Sequence, residues 1–279
     1  MRVGFHVSIL GSIDEAVGRA VEMGINTFQM FTRNPRGWQF SSLDQKETDA
    51  FKEKLAKVDI SPIFVHMPYL PNLASSKSQV YNLSVRSLTA ELKRCEELSV
   101  SFLVTHLGSH LGSGKAVGFK RIAEAVNSAF SEVKGETMLL LENTAGTENS
   151  MGSSFEDIGK VIDRIVSNER IGICFDTCHA FAAGYDLNGR GAVENVLTIL
   201  DSVLGLERLK LVHLNDSVGG LRSHLDRHEH IGLGKIGEEG FIAILSSEFG
   251  RRPMIMETPV DERRDDFENL MKVKELAKR

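Results

Sequence analysis

The chain has 279 residues, 42% of them hydrophobic and 25% charged, with a formal net charge of −5. That balance excludes a disordered or collagen-like chain, and also a generic basic nucleic-acid binder, which would neutralise phosphates with an excess of Lys and Arg. Three cysteines, at 95, 174 and 178, give neither a disulfide framework nor a CxxC knuckle, and no run is apolar enough to read as a membrane span or secretory h-region, so a reducing, cytoplasmic setting is expected.

In chain order, a short apolar run at 3–6 leads to Ser12-Ile13-Asp14-Glu15, which reads as a capping box opening a helix over 16–23. The alternation then repeats: strand 27–31 and helix 43–58, strand 63–66 and helix 80–98, strand 102–106 and helix 117–133. Strand 138–142 follows, and Ser153-Ser154-Phe155-Glu156 opens a helix over 157–166. Strand 171–176 and helix 192–204, strand 209–213 and helix 239–249, and strand 254–257 and helix 266–277 complete the series. The strand runs are continuously hydrophobic instead of alternating, as a parallel sheet buried on both faces requires. Eight strand-helix units of about 35 residues each fit a single-domain α/β (β/α)8 barrel over residues 1–279. A doubly wound open sheet has no GxGxxG after a strand to support it.

Most strands end in a residue able to bind metal: His6, His66, His106, Glu142, Asp176, His213 and Glu257. A barrel gathers those ends at one rim, and six in succession from His66 onward is more than loop capping explains. Without a cation, Glu142, Asp176 and Glu257 would repel one another in a partly desolvated mouth. His179 follows Asp176 by three residues, a spacing that one helical turn brings to the same pocket. Asp226 and His228, two apart, share one side of an extended loop between the strands ending at His213 and Glu257. Imidazole and carboxylate without thiolate suit Zn2+, or Mn2+ at some positions, better than copper or an iron-sulfur centre. These nine residues suffice for three metals that share bridging carboxylates.

Gly4-Phe5-His6-Val7-Ser8, the run from Phe31 to Trp38, His106-Leu107-Gly108-Ser109, Leu141-Glu142-Asn143-Thr144-Ala145-Gly146, Phe175-Asp176-Thr177-Cys178-His179, His213-Leu214-Asn215-Asp216-Ser217, the run from Asp226 to Gly234 and Glu257-Thr258-Pro259 together resemble the endonuclease IV family of apurinic/apyrimidinic endonucleases. The ordered set spans nearly the whole chain. The resemblance implies a TIM barrel with three zinc ions. His66, His106 and Glu142 match the ligands of one; Glu142 bridges to a second, completed by Asp176, His213 and Glu257; His179, Asp226 and His228 match the third. It also implies hydrolysis of the phosphodiester 5′ to an abasic site in duplex DNA, leaving a 3′-hydroxyl and a 5′-deoxyribose phosphate, and trimming of blocked 3′ ends. The nucleophile is then a metal-bridged hydroxide, with Glu257 able to orient the attacking water and the metals supplying the positive charge the composition lacks.

The resemblance places Arg36, Tyr69 and Leu70 among residues that insert into DNA, where a missing base makes extrusion of a nucleotide least costly. Trp38 reads as loop packing, and Arg33, Lys115 and Lys235 are candidate phosphate contacts. His6 reads as a support for the ligands, His110, His224 and His230 as loop or substrate-side histidines, and Cys174 and Cys178 as packing. The rival reading is a sugar isomerase or epimerase on the same barrel, holding one metal with Glu142, Asp176, His213 and Glu257 and leaving the other five residues unused. A non-catalytic binder of metal or damaged DNA is the other alternative. An open rim that DNA must reach favours a monomer.

Overall fold

Aliphatic and β-branched runs become buried strands here because neither face meets water, so no polar alternation is needed. In the computed structural model, which describes residues 1–279, the barrel strands are β1 (Val3–Phe5), β2 (Phe28–Met30), β3 (Ile63–His66), β4 (Phe102–His106), β5 (Met138–Glu142), β6 (Ile171–Asp176) and β7 (Leu209–His213), and, after a small antiparallel pair, β8 (Asp216–Ser217) with β9 (His228–Glu229), the last barrel strand β10 (Met254–Met256). The sheet runs β1-β10-β7-β6-β5-β4-β3-β2, parallel throughout. Its two ends meet through a parallel bridge between His6 and Gln29, where the Val7 N–H donates to the Gln29 carbonyl at 2.7 Å. Gly4 permits that closure, since a Cβ there would lie 1.7 Å from the Thr27 carbonyl oxygen. The result is the expected single-domain (β/α)8 barrel.

The helices α1 (Glu15–Glu22), α2 (Gln45–Leu55), α3 (Ser78–Leu98), α4 (Lys115–Glu132), α5 (Phe155–Ile162), α6 (Thr177–Ala183), α7 (Arg190–Leu204), α8 (Gly237–Ser246) and α9 (Asp266–Leu276) complete the chain. None is long and apolar enough to cross a membrane. Most helix bounds shift by about two residues, and the two capping boxes read from the sequence differ in kind. The Ser12–Glu15 box does not cap α1: Ser12 donates to the Asp14 carboxylate at 2.6 Å, and Asp14 pairs with Lys54 of α2 at 2.6 Å, so the carboxylate ties two helices together instead. At α5 the cap is Ser154, which accepts from the Asp157 N–H, and the helix begins at Phe155 and ends at Ile162. The β8–β9 pair and α6 were not among the predicted elements.

The pleat sorts strand residues into two layers. Val65, Leu103, Leu139, Leu141, Ile173, Phe175, Val212, Met254 and Met256 belong to the large core shared with the helices. Phe64, Val104, Leu140, Cys174, Leu211 and Ile255 form a separate cluster that fills the barrel. Two residues beyond each of these six stand His66, His106, Glu142, Asp176, His213 and Glu257, which the period of two directs to the same inner face. A register shift between β6 and β7 contributes: Ile173 pairs with Leu209, but Cys174 pairs with Leu211 and Asp176 with His213. The extra residue, Lys210, is a bulge that brings Leu211 and His213 into phase with Cys174 and Asp176.

Candidate metal centre

The inner layer ends in a ring of imidazoles and carboxylates at the C-terminal mouth of the barrel. Glu142, fully buried on β5, stands at its centre. Its Oε2 faces His66 Nε2 at 3.2 Å and His106 Nε2 at 3.5 Å, while its Oε1 faces His213 Nδ1 at 3.1 Å. One carboxylate thus presents each oxygen to a different set of nitrogens. His213 Nδ1 also lies 3.5 Å from Glu257 Oε2 and 3.9 Å from Asp176 Oδ2. A third set forms where α6 and β9 meet the rim: His179 Nε2 is 3.0 Å from Asp226 Oδ1, and His228 Nε2 is 3.9 Å from the same oxygen and 3.7 Å from Asp176 Oδ2. Five groups have their ligand atoms within 4.8 Å of one another, and three of them are imidazole and carboxylate alone: His66, His106 and Glu142; Glu142, Asp176, His213 and Glu257; and His179, Asp226 and His228; the other two add Cys174 or Cys178.

Local structure explains the third set. Asp176 caps α6, accepting the His179 N–H at 2.7 Å, so the first turn of that helix returns His179 to the pocket. Pairing of β9 with β8 holds His228 beside the rim. Asn143 clamps the Asp176 backbone through both amide atoms, and Asn215 donates to Asp176 Oδ2 at 2.7 Å while accepting the Glu257 N–H at 2.8 Å.

Four of the rings have one nitrogen committed to an acceptor and the other aimed at carboxylates. His66 Nδ1 donates to the Met67 carbonyl at 2.7 Å, His179 Nδ1 to the Asn143 carbonyl at 3.0 Å and His228 Nδ1 to the Glu257 carbonyl at 3.0 Å. His213 donates through Nε2 to the Gln29 side-chain oxygen at 2.9 Å. A lone pair facing a carboxylate oxygen is repulsive unless a proton or a cation lies between them. His228 Nε2 is buried with no hydrogen-bond partner at all. The donor set and this orphaned nitrogen fit divalent zinc held by nitrogen and oxygen.

The charges are strongly coupled. Burial by itself would drive His179 and His213 toward neutral, yet both are raised well above the usual imidazole range, by Asp176, Asp226 and Glu142 around His179 and by Cys174, Glu257 and Glu142 around His213. Glu142 is likewise held well below the usual carboxylate range: burial opposes ionisation, and the imidazoles of His106, His213 and His179 outweigh it. Burial lowers His106 and His6.

A profile of the xylose isomerase-like TIM barrel family matches residues 17–277. A protein of Methanoculleus marisnigri named probable endonuclease 4 is 53% identical over 277 residues, covering 99% of this chain and 98% of that one. Another of that name, from Nitrosopumilus maritimus, is 46% identical over 280 residues, covering 99% and 100%. The crystal structure of endonuclease IV from Thermus thermophilus superposes with a TM-score of 0.88 at 35% identity, covering 100% of this chain and 99% of that one. The chain belongs to the endonuclease IV family. A D-tagatose 3-epimerase-like protein, at 22% identity and a TM-score of 0.71, shares the fold alone.

Within this endonuclease IV family member, Arg36, Tyr69 and Leu70 lie on adjoining rim loops, joined by the Tyr69 N–H donating to the Pro35 carbonyl at 3.1 Å. Tyr69 is 64% exposed and Leu70 39%, and Arg36 is exposed. The Tyr69 ring meets Phe31 edge-on at 5.2 Å, and Phe31 packs on His6 at 4.2 Å, so the loop stands on the wall of the ring. Arg33 is not free for phosphate, contrary to the sequence reading: it is buried, pairing with Glu91 at 2.6 Å and donating to Ser87 and to the Gly37 carbonyl. Arg94 completes that network with bonds to the Thr32 hydroxyl and the Thr32 and Ser41 carbonyls, so α3 clasps the 32–41 loop along its length. Lys115 is paired with Asp157 at 2.6 Å; Lys235 is exposed.

His110 accepts the Gly112 and Gly114 N–H groups, His224 lies 3.2 Å from the Ala145 carbonyl, and His230 is buried between Asp261 and Asn269, so all three organise loops. Cys174 and Cys178 are buried, their thiols pushed up to about 12 by burial, which suits packing. His6 lies beside Glu257, its Nδ1 3.7 Å from Oε1. Sequence reasoning missed Gln29, Asn143 and Asn215. Gln29 carried a usable signal, an amide at the centre of the apolar strand Phe28–Met30.

Proposed function

We propose that this chain is a zinc-dependent apurinic/apyrimidinic endonuclease. It hydrolyses the phosphodiester 5′ to an abasic site in duplex DNA, leaving a 3′-hydroxyl and a 5′-deoxyribose phosphate, and trims blocked 3′ ends. The observation that carries the reading is the third group, His179, Asp226 and His228, set against two groups that share Glu142. A sugar isomerase on this barrel would use the four residues around His213 and give the other five no role. The names of the relatives, probable endonuclease 4, support the same choice.

Three divalent cations bound here would acidify the attacking water and neutralise charge that accumulates on phosphorus and on the leaving oxygen. The protein supplies placement. Glu142 would be shared between two of the cations, since one of its oxygens faces His66 and His106 and the other faces His213. Asp176, His213 and Glu257 complete the second group, and His179, Asp226 and His228 the third. Glu257 keeps Oε2 toward the mouth, where it accepts a hydrogen bond from the attacking water and orients it. Arg36, Tyr69 and Leu70 enter the base stack, and a nucleotide without its base leaves the duplex at least cost. The backbone there is pressed onto the ring.

The test is incision of an end-labelled duplex carrying one stable abasic analogue, before and after prolonged chelation, with an undamaged duplex alongside and metal analysis of the same sample. Cutting 5′ to the analogue that leaves a 3′-hydroxyl, with three ions per chain, is the expected result. Fully metallated protein that leaves the abasic duplex intact overturns the proposal.

A further inference from the structure

We propose that Gln29 is a positioning residue that sets the tautomer of His213 and the rotamer of Glu257 through one amide. This rests on the metal-centre reading above. Gln29 is fully buried on β2, on the opposite side of the barrel closure from Glu257. Its Nε2 lies 2.8 Å from Glu257 Oε1 and 3.1 Å from His6 Nδ1, and its Oε1 lies 2.9 Å from His213 Nε2.

The orientation of the amide follows from its partners. A carboxylate only accepts, so the group 2.8 Å from Glu257 must be the NH2, and the oxygen then faces His213. That oxygen only accepts in turn, so His213 Nε2 must carry a proton. In the neutral ring that can ligate a cation, the lone pair is then on Nδ1, the atom that faces Glu142, Asp176 and Glu257. The second amide proton goes to His6 Nδ1, which prevents the amide from flipping. A closed circuit results: Glu257 Oε1 orients Gln29, Gln29 orients His213, and His213 Nδ1 meets Glu257 Oε2 at 3.5 Å.

Gln29 differs from the other supports in one respect. His66, His179 and His228 are oriented by backbone carbonyls, which no substitution at the acceptor residue removes. His213 depends on a side chain. The centre can therefore be loosened at this ligand by a substitution that touches none of the nine candidate ligands.

The experiment compares Gln29→Leu and Gln29→Glu with the parent, all zinc-loaded, by three readouts: the imidazole 1H–15N correlation of His213, the rate of zinc transfer to a chromophoric chelator, and kcat and KM on the abasic duplex. The parent should show a slowly exchanging Nε2–H at His213. Gln29→Leu should lose that signal, release zinc about 10- to 100-fold faster and lose kcat, with KM within about twofold. Gln29→Glu keeps an acceptor for His213 but sets a carboxylate against Glu257, so it should keep the Nε2–H signal while zinc leaves faster than from the parent and kcat falls, the His213 signal separating it from Gln29→Leu. General damage to the fold would affect the His213 signal of both variants alike, and that pattern overturns the proposal. So does a leucine variant with parental signal and zinc release. Should the leucine variant fail to fold, the glutamate variant decides: a retained signal with lowered kcat supports the proposal, and a lost signal overturns it. A parent that fails to incise defeats the endonuclease reading, while the first two readouts still decide the role of Gln29.

Discussion

Tyr69 offers the clearest residue-level separation of binding from chemistry, because its ring packs edge-on against Phe31, which is not a candidate ligand, and it is 64% exposed. Tyr69→Ala should leave the fold and zinc content unchanged and weaken binding of an abasic duplex by about 1–3 kcal/mol, the range for losing one aromatic stacking partner; Tyr69→Phe should stay near the parent. Fluorescence anisotropy on abasic and undamaged duplexes checks this, and equal weakening on both would remove the damage-sensing role. The histidines make a second prediction. His179 and His213 have folded-state pKa values raised well above 6.5, so in the metal-free protein their contribution to stability is present below that value and lost as pH rises through the raised values. Zinc must displace those protons. Metal-free protein should lose thermal stability as pH is raised above neutral, zinc-loaded protein should not, and zinc uptake should release protons, measurable by calorimetry in buffers of different ionisation enthalpy. Six of the candidate ligands were legible in the sequence because each ends an apolar run, and His179, Asp226 and His228 through their spacing. Of the residues that orient them, Gln29 alone left a sign, an amide inside an apolar strand; Asn143 and Asn215 act across strands remote in sequence, and an amide in a loop has no titration or spacing signature.

At the scale of elements, the buried Arg33–Glu91–Arg94 network ties the loop bearing Arg36 to α3. Glu91→Ala leaves the buried Arg33 guanidinium without its carboxylate and the Thr32 hydroxyl, which receives Arg94, without its acceptor, a change worth about 3–5 kcal/mol of stability. Urea denaturation of the zinc-loaded protein should show that loss, and KM for the abasic duplex should rise as the loop loosens. An unchanged midpoint would mean that the loop is held by other contacts. The sequence reading treated Arg33 as a surface cation because the loop pattern gave no sign of Glu91, which sits on a helix three elements later. The eight strands were legible from continuous hydrophobicity, and the long helices from their period. α6 was missed as an element because it follows β6 without a loop, and β8 and β9 because two-residue strands leave no pattern. Ser12 and Asp14 had the composition of a cap, but Lys54 of α2 takes the carboxylate.

For the whole molecule, the net charge of −5 and a mouth lined by Glu142, Asp176, Asp226 and Glu257 make the metal-free protein a poor partner for a polyanion. Chelation should therefore weaken duplex binding at least about tenfold on abasic and undamaged DNA alike, with restoration on adding zinc. Undiminished binding after full metal removal would assign DNA affinity to the loops alone. Between the pairs Ile173–Leu209 and Cys174–Leu211, β7 carries one residue more than β6. Side chains in a strand alternate, so an unbroken count from Leu209 would turn His213 toward the helices; the bulge absorbs Lys210 and returns His213 to the mouth. Deleting Lys210 would leave Leu209 opposite Ile173 and Leu211 opposite Cys174 in regular register, with His213 still at the mouth. This strand can therefore lose that letter as readily as exchange it, whereas one more letter after it would turn the ligand away.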